Sequence, residues 1–160
     1  DVDWLSLSAT EVTVPAGESV TVDVTTDGNV AQPGVYTAGI KISANTPQSF
    51  DTIPVTMNVS PPSTWGKLMG NVSGVDCDTA TVPIAGAVVD ITPVAGGHPG
   101  WVLAADSSGD YATWLNTEHT QNGGVQIIAA KDGWRPKVAT ANPARGVVRT
   151  VNFSLVRIGC

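Results

Sequence analysis

The feature that most limits what this chain can fold into is a short-range alternation of apolar and polar residues, repeated in brief runs. Val20, Val22 and Val24 alternate with Thr21, Asp23 and Thr25. Ala38, Ile40 and Ile42 alternate with Gly39, Lys41 and Ser43, and Val55, Met57 and Val59 with Thr56, Asn58 and Ser60. Successive side chains of a strand point to opposite faces, so each run predicts a strand with one buried and one wet face. Further along, Leu68, Gly70 and Val72 share one face, as do Ala87, Val89 and Ile91. Tyr111, Thr113 and Leu115 follow, then Val125, Ile127 and Ala129, then Val151, Phe153 and Leu155. Turn residues separate the runs: Pro15-Ala16-Gly17, Asp27-Gly28-Asn29, Pro33-Gly34, Asn45-Thr46-Pro47 and Asp106-Ser107-Ser108-Gly109. No window sustains helical spacing between caps. The expected fold is all-β, built as consecutive antiparallel β-sandwiches.

One break divides the pattern. Ser60-Pro61-Pro62-Ser63-Thr64 places two prolines together, which cannot join a central strand and favour an extended connection. Charge changes at the same place. Residues 1–62 hold seven acids (Asp1, Asp3, Glu11, Glu18, Asp23, Asp27, Asp51) and one base, Lys41, whereas the rest holds seven of each. The whole net charge of −6 therefore belongs to the first part. The expected modules are 1–62 and 63–160. The halves do not read as copies of one another.

Composition narrows the partners. Apolar residues make up 42%, enough for packed cores, while charged residues are only 14%. The polar surface must come from Thr, Ser, Asn and Gln, which suits an extracellular β-protein. A net-acidic chain without a basic run argues against nucleic acid, and no run approaches the roughly 18 apolar residues of a membrane span. Asp1 reads as the start of an excised or mature segment. A monomer is expected. Cys77 and Cys160 allow one pairing. A bridge would imply an oxidising compartment, and its long loop sets the entropic gain at roughly 4–5 kcal/mol at most. Two free thiols in a cytosolic protein is the alternative.

Two stretches resemble known families. Asp3-Trp4-Leu5-Ser6-Leu7-Ser8, then Pro15 to Val22, Pro33 to Ala38 and Ile53 to Val59, resemble small Ig-like modules with a "WLxxS" opening. Gly70-Asn71-Val72-Ser73-Gly74, Pro83 to Val89, Asp106 to Tyr111, Ala130-Lys131-Asp132-Gly133-Trp134 and Val151 to Leu155 resemble the carboxypeptidase-regulatory-like family, with its transthyretin-like sandwich. This order of modules is similar to the C-terminal tail of secreted bacterial subtilisin-like serine peptidases. The resemblance implies a secreted, non-catalytic accessory region that stabilises or positions a catalytic domain. Its partners would be that domain or an insoluble protein or polysaccharide substrate.

Residues suited to chemistry are few. A Ser–His–Asp triad needs a histidine between nucleophile and acid. His98 and His119 both sit in polar loop sequence, and no Gly-x-Ser-x-Gly elbow exists. Zinc needs three or four closely spaced ligands, which the two Cys and two His do not supply by spacing. Calcium takes loop oxygens. Asp76 with Asp78, or Asp106 with Asp110, offers two carboxylates, but turn chemistry explains both pairs, so no cofactor or metal is expected. Lys67 and Asn152 lie on a first and a last strand, where an intramolecular amide would join them only in a desolvated site. Both alternate outward. Asn58, Asn71 and Asn152 open Asn-x-Ser sequons at outward positions. Lys131, Arg135, Lys137, Arg145 and Arg149 cluster late and read as a solvated edge that discourages strand aggregation, the alternatives being contact with the acidic first module, with a catalytic domain or with an acidic substrate.

Tryptophans carry the remaining binding signal. A sugar-stacking platform needs exposed flat rings. Trp114 alternates out of phase with its buried neighbours, Trp101 lies beside a Gly-rich loop, and Trp134 ends a turn. These three are the candidate binding residues of an alternative reading, a carbohydrate- or cell-surface-binding segment. Trp4 and Trp65 are expected to pack at the module ends or between modules. No catalytic residue is expected.

Overall fold

The alternating runs become strands in a computed structural model that describes residues 1–121 and 123–159. Cys160 lies outside the described residues, and with it the Cys77–Cys160 pairing. The chain divides into two units, Asp1–Pro61 and Pro62–Cys160.

The first unit holds two short antiparallel ladders. Strand β1 (Leu5–Leu7) pairs with β2 (Val24–Thr26), and β3 (Gly34–Ile40) pairs with β4 (Ile53–Val59). Tyr36, Ala38 and Ile40 share the inner side of β3 with Val55, Met57 and Val59 of β4, as the alternation requires. Trp4 meets Tyr36 edge-on, with centroids 6.1 Å apart, a geometry that suits the ring quadrupoles. The run from Val20 departs from expectation. Val20 and Val24 are exposed, and the strand begins only at Val24. Ile42 is also exposed and lies beyond the end of β3. Alternation buries a face only where a second layer covers it. In this unit Trp4 and Met57 are the only buried hydrophobic residues.

The second unit is a two-layer sandwich. Its strands are β5 (Trp65–Val75), β6 (Thr81–Pro83), β7 (Val88–Pro93), β8 (Trp101–Ala104), β9 (Asp110–Asn116), β10 (Val125–Ala130), β11 (Trp134–Arg135), β12 (Lys137–Ala141), β13 (Val148–Thr150) and β14 (Phe153–Arg157). Among the described residues one 3-10 turn, Thr117–Thr120, follows β9. One sheet runs β12-β10-β7-β8, and the other is organised on β5, flanked by β9, β6, β13, β14 and β11. The expected antiparallel arrangement holds for most pairs, but β13 and β14 both run parallel to β5. The last strands reach β5 from the far sheet by a crossover, which alternation alone cannot distinguish from a hairpin.

The inner faces carry the core. Val89, Ile91, Val125, Ile127 and Ala129 from one sheet meet Leu68, Val72, Tyr111, Leu115, Phe153 and Leu155 from the other. These are the residues the period-two reading assigned inward. Trp134 and Ile84 close the end of the core.

On β5 the buried positions read Gly66, Leu68, Gly70, Val72, Gly74. A Cβ on Gly66 would meet the Ala144 carbonyl, one on Gly70 the Val151 carbonyl, and one on Gly74 the Trp134 ring. Each glycine is therefore a place where another part of the chain crosses β5 too closely for a side chain. Between β13 and β14 the chain departs from the ladder at Val151–Asn152. Gly70 leaves room for the Val151 carbonyl, the Tyr111 hydroxyl donates to it at 2.6 Å, and the Asn152 side-chain oxygen accepts the Asn71 amide at 2.9 Å. The break in pairing is thus repaired by two side chains.

A methyl group at position 70 would have to displace backbone, so Gly70→Ala is expected to destabilise the second unit by about 2 kcal/mol or more. Leu155→Ala, which empties a fully buried site, is expected to cost about 2–5 kcal/mol. Urea unfolding checks both, and midpoints near wild type would contradict the close approach.

Candidate functional site

The three candidate tryptophans do not form a platform. Trp134 is 7% exposed and contributes to the core against Gly74. As a binding residue it is a correction: the Gly133 turn, with positive φ, folds the ring inward rather than presenting it. The Arg157 guanidinium lies 5.3 Å from its centroid and closes its outer side. Trp101 pairs opposite Ile91 on the edge strand β8 and is packed, half-buried, against the core. Trp114 stands on β9 in the other sheet, opposite Lys67, whose ammonium lies 5.9 Å from the ring centroid. Trp101 and Trp114 therefore belong to different layers. A sugar stacking on Trp114 would have to displace a cation–π contact of about 0.5–1 kcal/mol.

The loop carboxylates are occupied. Asp106 Oδ1 accepts from the amides of Ser108 and Asp110, at 2.8 and 2.9 Å. This closes the turn that Gly109, at positive φ, completes. Asp110 Oδ1 accepts from Asn71 Nδ2, which also donates to the Ser108 carbonyl. Asp76 Oδ1 accepts from the Cys77 amide and lies 3.8 Å from Arg157. Asn71, Asp106, Asp110, Tyr111 and Asn152 border an open groove of about 320 Å³. Each of these five side chains makes at least one hydrogen bond within the protein.

Tyr111 is the buried titratable group of this region. Burial raises its phenol from 10.0 to about 12, so it holds its proton and acts as a donor to Val151. Among the described residues no buried side-chain nitrogen or oxygen lacks a hydrogen-bond partner. Lys67 and Asn152 are kept apart. Lys67 aligns with Val148, whereas Phe153 aligns with Val72, which sets Asn152 beside Asn71. Four residues of strand separate the two positions along β5, roughly 13 Å at strand rise. Of the late basic residues, Lys131 donates to the Gly86 carbonyl, Arg149 to the Asn142 carbonyl, and Arg145 lies 3.5 Å from Glu118.

Two features were not visible in the sequence. The outer face of the four-stranded sheet carries a row in register, Val138, Ile128, Asp90 and Val102, that is apolar on three of its four strands and holds a carboxylate on β7. Val102 is 69% exposed and Val138 60%. Val88 extends the patch on the next row. Sequence reasoning recorded only the buried face of these strands. The second feature is a pairing of His98 with His119, whose rings stack with centroids 4.0 Å apart. Their separation along the chain gave no sign of it.

No protein-family model matches the chain, and no curated protein matches it. Among solved structures it is similar to GBS52, the minor pilin of Streptococcus agalactiae, at 16% identity and a TM-score of 0.43, covering 89% of this chain and 71% of that one. It is also similar to 3-chlorocatechol 1,2-dioxygenase from Rhodococcus opacus 1CP, at 12% identity and a TM-score of 0.38, covering 58% and 61%. A third is hydroxyquinol 1,2-dioxygenase from Pseudomonas putida DLL-E4, at 11% identity and a TM-score of 0.41, covering 61% and 58%. The chain thus spans less than two thirds of either dioxygenase. Such values carry no statement about activity or ligand. What the strands themselves define is an all-β protein whose second unit is a two-sheet sandwich. Among the described residues no helix is long and apolar enough to cross a membrane.

The raised Tyr111 phenol links stability to alkaline pH. Its folded value lies above its unfolded one, so its contribution is complete below about pH 10 and is lost as pH rises toward about 12. Tyr111→Phe should cost about 1 kcal/mol at pH 7 through the lost hydrogen bond. It should also show a smaller decline in stability across that alkaline window. Thermal unfolding at stepped pH measures both, and an unchanged alkaline slope would contradict the assignment.

Proposed function

We propose that this chain is a non-catalytic accessory region of a secreted bacterial hydrolase, and that it stabilises or positions the catalytic domain of its parent. The observation that carries this reading is that the polar side chains of the β5 groove are each hydrogen-bonded within the fold. Tyr111, Asn71, Asn152, Asp106 and Asp110 are all engaged in holding β5, β9 and β14 together. Groups spent in this way serve a scaffold and are not poised to react. The order of Ig-like and carboxypeptidase-regulatory-like sequence patterns supports a subtilisin-like peptidase as parent. The flat apolar row Val138–Ile128–Val102, with the single carboxylate Asp90 in it, supports contact with a protein surface, because a stacking site for sugar would need bare aromatic faces. The occupant proposed for that row is the catalytic domain of the same polypeptide.

The test compares the full-length parent with a form lacking this region and with a Val102→Asp, Val138→Asp double variant. On a small soluble peptide substrate, kcat/KM should stay within about twofold for all three, because the chemistry lies elsewhere. Thermal inactivation should be faster for the deletion, and the double variant should reproduce part of that loss. Equal inactivation rates for all three would refute the accessory role. Retention of the isolated chain on chitin or cellulose, lost in Trp114→Ala, would instead establish the carbohydrate-binding alternative.

A further inference from the structure

His98 and His119 reach one another from two loops that the fold docks together. His98 lies in the β7–β8 loop, which Gly96 and Gly97, both at positive φ, turn back on itself. His119 lies in the 3-10 turn after β9. That turn is anchored. Asn116 Oδ1 accepts from the Glu118 amide, the Thr117 hydroxyl donates to the Thr64 carbonyl at 2.7 Å, and the Thr120 hydroxyl donates to the Thr117 carbonyl. Thr117 and Thr120 are both buried. The two loops are joined directly by the Val94 amide, which donates to the Gly124 carbonyl at 3.0 Å. The imidazoles stack within 6° of parallel, with His98 exposed and His119 half-buried. Glu118, the neighbouring carboxylate, is turned toward Arg145 at 3.5 Å.

Two imidazoles in contact at a surface offer two nitrogen donors to one ion. We propose that His98 and His119 form a two-histidine site for a borderline divalent transition-metal ion, with Cu²⁺ held more tightly than Ni²⁺ or Zn²⁺. The order follows from the general preference of nitrogen sites along the first row. Among the described residues no three His, Cys, Asp or Glu side chains gather, so water or an external ligand completes the coordination sphere. Imidazole nitrogens bind at about 2.0–2.1 Å and in the plane of the ring. Binding therefore exchanges the face-to-face stack for an edge-on approach, which rotation of the exposed His98 ring supplies while the anchored His119 stays in place. Protons compete for the same nitrogens, so affinity falls on acidification.

The test is titration of the purified chain with Cu²⁺, followed by calorimetry and by electron paramagnetic resonance. The wild type should take up one ion with hyperfine structure from two imidazole nitrogens. His98→Phe and His119→Phe each keep a flat ring for the stack while removing the donors. Each should weaken this binding by about tenfold or more, and the double variant should leave only the background of scattered surface groups. Circular dichroism of each variant should match wild type, since both side chains reach solvent. Wild-type affinity in either single variant, or a spectrum without coordinated imidazole, would overturn the site.

Discussion

The structure depends on how closely the chain can approach strand β5. Its inward positions alternate glycine with leucine or valine, and each glycine marks a crossing: Ala144 over Gly66, Val151 over Gly70, Trp134 over Gly74. Leu68 and Val72, between them, are fully buried. One strand thus supplies both the apolar surface of the core and the gaps through which other segments pass. That is why β5 can take β9 and β6 on one flank and β13 and β14 on the other. A larger residue at Gly66, Gly70 or Gly74 would separate layers that the remaining contacts need together.

The same constraint governs the polar groups. The parallel strands β13 and β14 leave the ladder between them, and a carbonyl and an amide must then find other partners. Tyr111 and Asn152 supply them. Asn71 in turn binds the Asp106–Asp110 loop to β5. Residues that look chemically promising in isolation, a tyrosine, two asparagines and two aspartates, are thereby joined in one hydrogen-bonded repair of the sheet. Such a network rigidifies a core when fully satisfied. The first unit has nothing comparable: Trp4 and Met57 form its buried centre and many of its valines face solvent.

Legibility in the sequence followed the physics of each signal. Period-two alternation identified the inward residues of β5, β7, β9, β10 and β14 because a strand in a two-layer core has a strict side preference. It does not hold at Val20 and Ile42, where polarity alternates but the residues lie outside the paired strands and face solvent. It did not reveal that β13 and β14 run parallel to β5, since direction leaves no mark on alternation. Trp134 is a core residue and not a binding residue, because a turn sequence shows where the chain bends and not which way the next ring points. The His98–His119 contact and the outer valine row depend on which strands are neighbours. Spacing along one strand carries no such information.

The most direct measurement of this account is native-state hydrogen exchange, resolved by residue. The amides of Leu68 and Met69 and of Ser73 to Val75, in the stretches of β5 paired on both flanks, should exchange last, with protection equal to the global stability of the second unit. The edge strand β8 should open earlier. Exchange of β5 at the rate of Trp101–Ala104 would contradict a fold organised on its glycines.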